Sequence, residues 1–229
     1  MYFRPLIFLG IVLTLGACAT PPKFLSKPEQ AALGTVDGIV VASQSTPRVG
    51  ITPSNTGGGG LLGLVIFGIA DGIRTANVKA ESVPIIDALQ GFDFQAELLA
   101  ATTARVGALS NIKVVVRPTV DTVGTTSAAR ILYDESKETS VLLFVVGYGL
   151  ISGDLVLQAA ARIYPKSPEL NQFRPKPNDK DPLDIGNAIY SNKLRVSISS
   201  VTPANIRANL LNAINQITAQ LAADLNSTR

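Results

Sequence analysis

The chain has 229 residues, 46% hydrophobic and 16% charged, with 20 Lys and Arg against 17 Asp and Glu for a formal net charge of +3. One cysteine, no histidine and no tryptophan exclude an internal disulfide and every imidazole-based nucleophile, general base or zinc site, and leave any carbohydrate-stacking surface to Tyr and Phe. The slight positive charge is spread along the chain with no basic tract, so no nucleic-acid partner is expected.

The first element in chain order is an export signal. Met1–Arg4 carries one basic side chain and no acid, and Leu6–Leu15 is apolar apart from Gly10 and Thr14. A permanent membrane span takes about 20 apolar residues, and this shorter run has the basic, apolar and small-residue order of a secretory signal peptide. It ends in Leu15-Gly16-Ala17-Cys18, which resembles the lipobox of bacterial lipoprotein precursors. The resemblance implies signal-peptidase recognition through Leu15, Gly16 and Ala17, cleavage after Ala17, a diacylglyceryl group on the Cys18 thiol and acylation of the new amino terminus, with palmitate as a suitable label. It also implies that Ala19, standing where an aspartate favours the inner membrane, directs the protein to the periplasmic face of the outer membrane if the source is Gram-negative. Two or more acyl chains make a stable anchor. Residues 1–17 are therefore read as signal peptide and 18–34 as the lipidated N-terminus with a flexible tether whose Pro21, Pro22 and Pro28 favour extended chain. Residues 35–229 are read as a single α+β periplasmic domain.

Within that domain, Thr35–Ser43 with Ile39-Val40-Val41 predicts a strand, and the polar stretch Gln44–Asn55 a loop. Thr56–Gly60 then leads into the apolar Leu61–Ala70 and the more polar Asp71–Ala80. Gly59, Gly63, Gly68 and Gly72 form two small-xxx-small pairs that would let another backbone approach closely, for helix packing or self-association. Each such glycine costs about 1 kcal/mol of helix propensity, so that helix would need support from a neighbour. Gly58–Gly63 also fits G-x-G-x-x-G, but no strand directly precedes it, and dinucleotide binding requires one.

Ile85–Leu109 predicts an amphipathic helix on Phe94, Leu98 and Ala101, with Gly91 as the point where it could reset. Ile112–Arg117 is a β-branched strand, and Thr125–Asp134 a short helix. Val141–Val146 is apolar on both faces, as a central strand is. Ser152-Gly153-Asp154 supplies a turn, and Leu155, Leu157, Ala159, Ala161 and Ile163 then alternate with the residues between them. This is a β-hairpin whose first set faces the core, its alanines leaving room for a close-packed helix. Pro165–Pro182 reads as a long exposed loop, Leu194–Ser199 as the last strand, and Thr202-Pro203 as the start of a helix with the stripe Leu210, Ile214, Ile217, Leu221 and Leu225. The fold class is α+β: one mixed or antiparallel sheet of four to five strands, with helices packed mainly on one face. This element order resembles the small sheet-and-helix domains of envelope lipoproteins such as curli-secretion or cell-wall-synthase-activator lipoproteins, and none of their residues is carried over.

Candidate chemistry is sparse. Asp179, Asp181 and Asp184 lack the spacing of an EF-hand and read as solvated loop charge. Ser110-Asn111-Ile112-Lys113 matches S-x-x-K without its companion motifs and between a helix and a strand rather than at a buried helix start. Glu135, Lys137 and Glu138 read as a charged helix end. No catalytic residue, metal ligand or cofactor is expected. The preferred reading is a non-enzymatic outer-membrane-anchored lipoprotein that binds the membrane through lipid on Cys18 and docks onto, or helps assemble, an envelope protein complex, by partner binding or self-association. The alternative is a lipoprotein that binds a lipid or small apolar ligand between sheet and helices, and a third reading is a carboxylate-dependent envelope hydrolase.

Overall fold

The computed structural model describes residues 22–42, 48–50, 82–118, 126–151, 153–174 and 188–227. In chain order they form α1 (Lys27–Ala32), β1 (Thr35–Ala42), β2 (Arg48–Gly50), α2 (Phe94–Arg105), β3 (Lys113–Pro118), α3 (Thr126–Glu135), β4 (Ser140–Ile151), β5 (Asp154–Pro165), α4 (Pro168–Asn171), β6 (Tyr190–Ile198) and α5 (Ile206–Asn226). A further helical stretch runs over 82–87. The strands make one sheet in the order β3-β1-β4-β5-β6, with the short β2 pairing beside the end of β4. β1 is parallel to β3 and β4, β2 is parallel to β4, and β4, β5 and β6 run antiparallel. The fold is α+β with one mixed sheet.

Chain direction places the helices. The steps from β1 to β3 and from β3 to β4 both join parallel strands, and such crossovers are right-handed in nearly all proteins. The first step goes outward from β1, and the second returns across β1 to β4. Two right-handed crossovers in opposite directions put their helices on opposite faces. Accordingly α2 buries Phe94 and Leu98 on the first face. On the second face, Leu132 and Tyr133 of α3 pack on Ile39, Val41, Val141, Leu143, Val145 and Tyr164. α5 joins α2 on the first face, as do α4 through Leu170 and the flanks of α1 through Leu25 and Leu33.

The expected hairpin is present and longer than its apolar core. β4 is buried along its whole length, and β5 turns Leu155, Leu157, Ala159, Ala161 and Ile163 toward the main core. The helix packed on this side is α5, whose Leu210, Ile214, Ile217, Leu221 and Leu225 are all fully or almost fully buried. The glycine-patterned segment lies outside the described residues.

Several boundaries differ from expectation for local reasons. The helix expected over Ile85–Leu109 is interrupted: Gly91 takes φ +75°, a left-handed turn open to glycine, and α2 restarts behind Asp93, whose side chain accepts from the Ala96 N–H at 2.9 Å. At the start of α5, Thr202-Pro203 begins a turn rather than the helix. The Asn205 side chain is committed to the Thr202 N–H at 2.7 Å and the Ser200 carbonyl at 3.1 Å, and the helix starts at Ile206. The loop expected from Pro165 opens as ordered structure, since Pro165 ends β5 and α4 follows with Leu170 buried. The last strand begins at Tyr190 rather than Leu194. Residues 22–34, read as tether, carry α1 and give Leu25 and Leu33 to the core. Their apolar side chains outweigh the extended bias of the prolines, and Pro28 sits in the first turn of α1, where its missing N–H costs nothing.

Candidate functional site

Leu15, Gly16, Ala17 and Cys18 lie outside the described residues, as do Gly59, Gly63, Gly68 and Gly72, the G-x-G-x-x-G motif, and Asp179, Asp181 and Asp184. Ser110 is exposed in the bend between α2 and β3, and Lys113 is exposed on β3. What the structure does give is the root of the N-terminal arm, the part of the fold that an anchor at Cys18 would pull on.

That root is built from backbone and caps. The Lys23 N–H donates to the Ser191 carbonyl at 2.8 Å, and the Ser191 N–H returns the bond to Lys23 at 2.9 Å, an antiparallel bridge on the outer edge of β6. Ser26 and Glu29 then close a capping box, with Glu29 Oε2 accepting from the Ser26 N–H and hydroxyl, each at 2.7 Å. Lys23 Nζ lies 3.5 Å from Glu29 Oε1. Gln30 reaches from α1 to the other end of the chain. Its Nε2 donates to the carbonyls of Leu225 and Ser227, each at 3.1 Å, and Asn111 Nδ2 donates to Leu225 at 3.1 Å. These amides satisfy carbonyls that the last turn of α5 leaves open. The arm is thus fastened to β6 and to the C-terminal end of α5.

A second polar cluster lies on the other face. Asp37 stands on β1 with its side chain 2% exposed, and Arg117 of β3 donates to it through Nε at 2.6 Å and through Nη2. The guanidinium pKa is raised, first by that hydrogen bond and then by the charges of Asp37, Glu135 and Glu138, against the cost of burial. Nearby, Lys166 Nζ donates to the carbonyl of Tyr133 at 2.7 Å and also to that of Ser136, and sits 4.9 Å from the Tyr133 ring centre. It closes the C-terminal end of α3, where a cation also meets the negative pole of the helix. Under α5, Tyr190 donates to Asp224 at 3.3 Å and Asn192 donates to the same oxygen. Burial, then the charge and hydrogen bond of Asp224, push the Tyr190 pKa up, and burial pushes Tyr148 up to about 12. These groups hold elements together, and the chemistry they support is capping and pairing.

Sequence reading missed Asp37, Lys166 and the Gln30–Asn111 clamp. An acid inside the apolar run Thr35–Ala42 is a signal that could have flagged Asp37. Nothing local marks the other three, because each bonds backbone far away in the chain. Among the described residues no group of three or more His, Cys, Asp and Glu could hold a metal ion, and no helix is long and apolar enough to cross a membrane.

No protein-family model matches the chain, and neither does any curated protein sequence. Similar solved structures include protein XCC0632 from Xanthomonas campestris, 12% identical with a TM-score of 0.33, covering 89% of this chain and 86% of that one. The C-terminal domain of LpoB from Salmonella enterica is 13% identical with a TM-score of 0.22, covering 73% of this chain and 84% of that one. Lipoprotein GNA1162 from Neisseria meningitidis is 17% identical with a TM-score of 0.23, covering 81% of this chain and 98% of that one.

Proposed function

We propose that the chain is a non-enzymatic lipoprotein of the bacterial envelope, held on the periplasmic face of the outer membrane by lipid on Cys18. Its α+β domain docks onto an envelope protein complex or helps assemble one. The observation that carries this reading is Leu15-Gly16-Ala17-Cys18 at the end of a short apolar run behind a basic start. A chain without histidine, and with its one cysteine committed to lipid, has little nucleophilic vocabulary, which favours a role in holding over one in turnover.

The test is cross-linking in cells followed by affinity purification of the lipidated protein from membranes. Recovery of an envelope protein in fixed stoichiometry, or of homo-oligomers that Gly63→Leu with Gly68→Leu disperses, supports docking or self-association respectively. A monomer that carries bound lipid and no protein contradicts docking and favours ligand binding.

A further inference from the structure

Resting on the anchor proposed above, we infer that the outer edge of the sheet, strand β6 with Lys193 and Arg195, lies against the anionic phospholipid headgroups of the leaflet that holds Cys18. Two independent observations carry this. The first is chain length. Lys23 is fixed to Ser191 of β6 by two backbone hydrogen bonds. Five peptide steps separate it from Cys18, so even a fully extended arm keeps Lys23 within about 18 Å of the lipidated residue. Four strand spacings separate β6 from β3, an edge-to-edge width of about 19 Å. The β6 side of the fold is therefore tied to within one sheet width of the lipid surface.

The second observation is charge. From Ala188 to Ala223 the chain contains no Asp or Glu, while Lys193, Arg195 and Arg207 supply cations. Lys193 and Arg195 are exposed on β6. The β5–β6 register sets Ser191 opposite Arg162, Lys193 opposite Ala160 and Arg195 opposite Gln158. Arg162, Lys193 and Arg195 consequently share one face of the strand pair. The other groups on that face here are Ser191, Ser197, Val156, Gln158, Ala160 and Tyr164, and its nearest β5 acid is Asp154 at the far end of the strand. Arg162 donates to the Tyr164 hydroxyl at 3.4 Å, and among the described residues no carboxylate forms an ion pair with Arg162, Lys193 or Arg195. Such a strip is drawn to an anionic leaflet within a Debye length of its surface. Charged edge strands also deter sheet-to-sheet pairing. What assigns this one to lipid is the arm, which leaves the fold from β6 itself.

The test uses the full-length lipidated protein in vesicles of phosphatidylglycerol and phosphatidylcholine that contain a headgroup-nitroxide lipid. A fluorophore is placed at Ser197→Cys on β6 or at Ala104→Cys on α2, both exposed; lipidation leaves Cys18 without a thiol to label. Quenching should be several-fold stronger at position 197 than at 104. That contrast should collapse at high salt, in Lys193→Gln with Arg195→Gln, and in vesicles of phosphatidylcholine alone. Equal quenching at the two positions would overturn the orientation, and a contrast indifferent to salt, lipid charge and the double variant would overturn the headgroup contact. Failure of the protein to float with the vesicles would overturn the anchor first, and the orientation with it.

Discussion

Asp37 shows how much one residue can depend on another. Its carboxylate is 2% exposed, and the Arg117 side chain that pairs with it is 46% exposed. Removing the arginine leaves a buried charge with nothing to answer it, whereas removing both leaves an apolar position on an apolar face. Arg117→Leu should lower stability by about 2 kcal/mol, and Asp37→Val with Arg117→Leu should stand closer to wild type. Urea unfolding of the three proteins decides this, and a double variant less stable than the single one would contradict it. The tyrosines supply a pH dependence. The Tyr148 hydroxyl is held to about 12 by burial, while an unfolded tyrosine ionises near 10. The unfolded chain therefore loses its proton first, so the contribution is complete below about pH 10 and falls as pH rises toward 12, by up to about 1.4 kcal/mol per pH unit. Tyr190 shifts in the same direction. Urea midpoints measured from pH 9 to 12 should fall along this limb, and Tyr148→Phe should make the fall shallower.

At the scale of the element, the helices depend on groups brought from elsewhere in the chain. α3 ends under Lys166, which lies between β5 and α4 and bonds the carbonyls of Tyr133 and Ser136 at that end. Lys166→Met should cost about 1 kcal/mol and speed amide exchange within 126–135 more than in the other helices. Uniform exchange across the fold would show that the cap is dispensable. The β5–α5 contact makes a different demand. Ala159 is 3% exposed and faces the core that α5 closes, so Ala159→Leu forces the helix outward at a cost of about 1–3 kcal/mol. A variant that melts like wild type would show slack in this layer. Gln95 does comparable work at a sheet margin. Where β3 stops at Pro118, its amide accepts from the Ala42 N–H at 2.6 Å and donates to the Val40 carbonyl at 3.0 Å, giving β1 one more rung.

Across the whole molecule, what was legible follows from period and burial. The β4–β5 hairpin, the β3 strand and the α5 stripe announce themselves because each carries a run of apolar residues at the spacing its backbone imposes. β2 escapes such reading because three residues, Arg48–Gly50, set no period. Residues 22–34 mislead because their three buried anchors, Leu25, Glu29 and Leu33, are scattered among prolines and charges. The strand order 3-1-4-5-6 rests on long-range pairing that local pattern does not encode. As for the candidate site, Leu15-Gly16-Ala17-Cys18 is contiguous, so its resemblance to a lipobox can be read from local sequence alone. The arm's fastening to Ser191, Leu225 and Ser227 joins opposite ends of the chain and is visible only in the fold. The described domain is thus first fastened five residues after the proposed attachment point, with Lys23 and Gln30 bracing its N-terminal arm against β6 and the end of α5.

A lipid on Cys18 is what the proposed role requires first. The direct measurement is labelled-palmitate incorporation and membrane fractionation of the wild-type protein and Cys18→Ser in the same cells. Wild type should take up label and fractionate with membranes, and Cys18→Ser should lose the label. Unchanged labelling and fractionation of Cys18→Ser would contradict the proposed attachment.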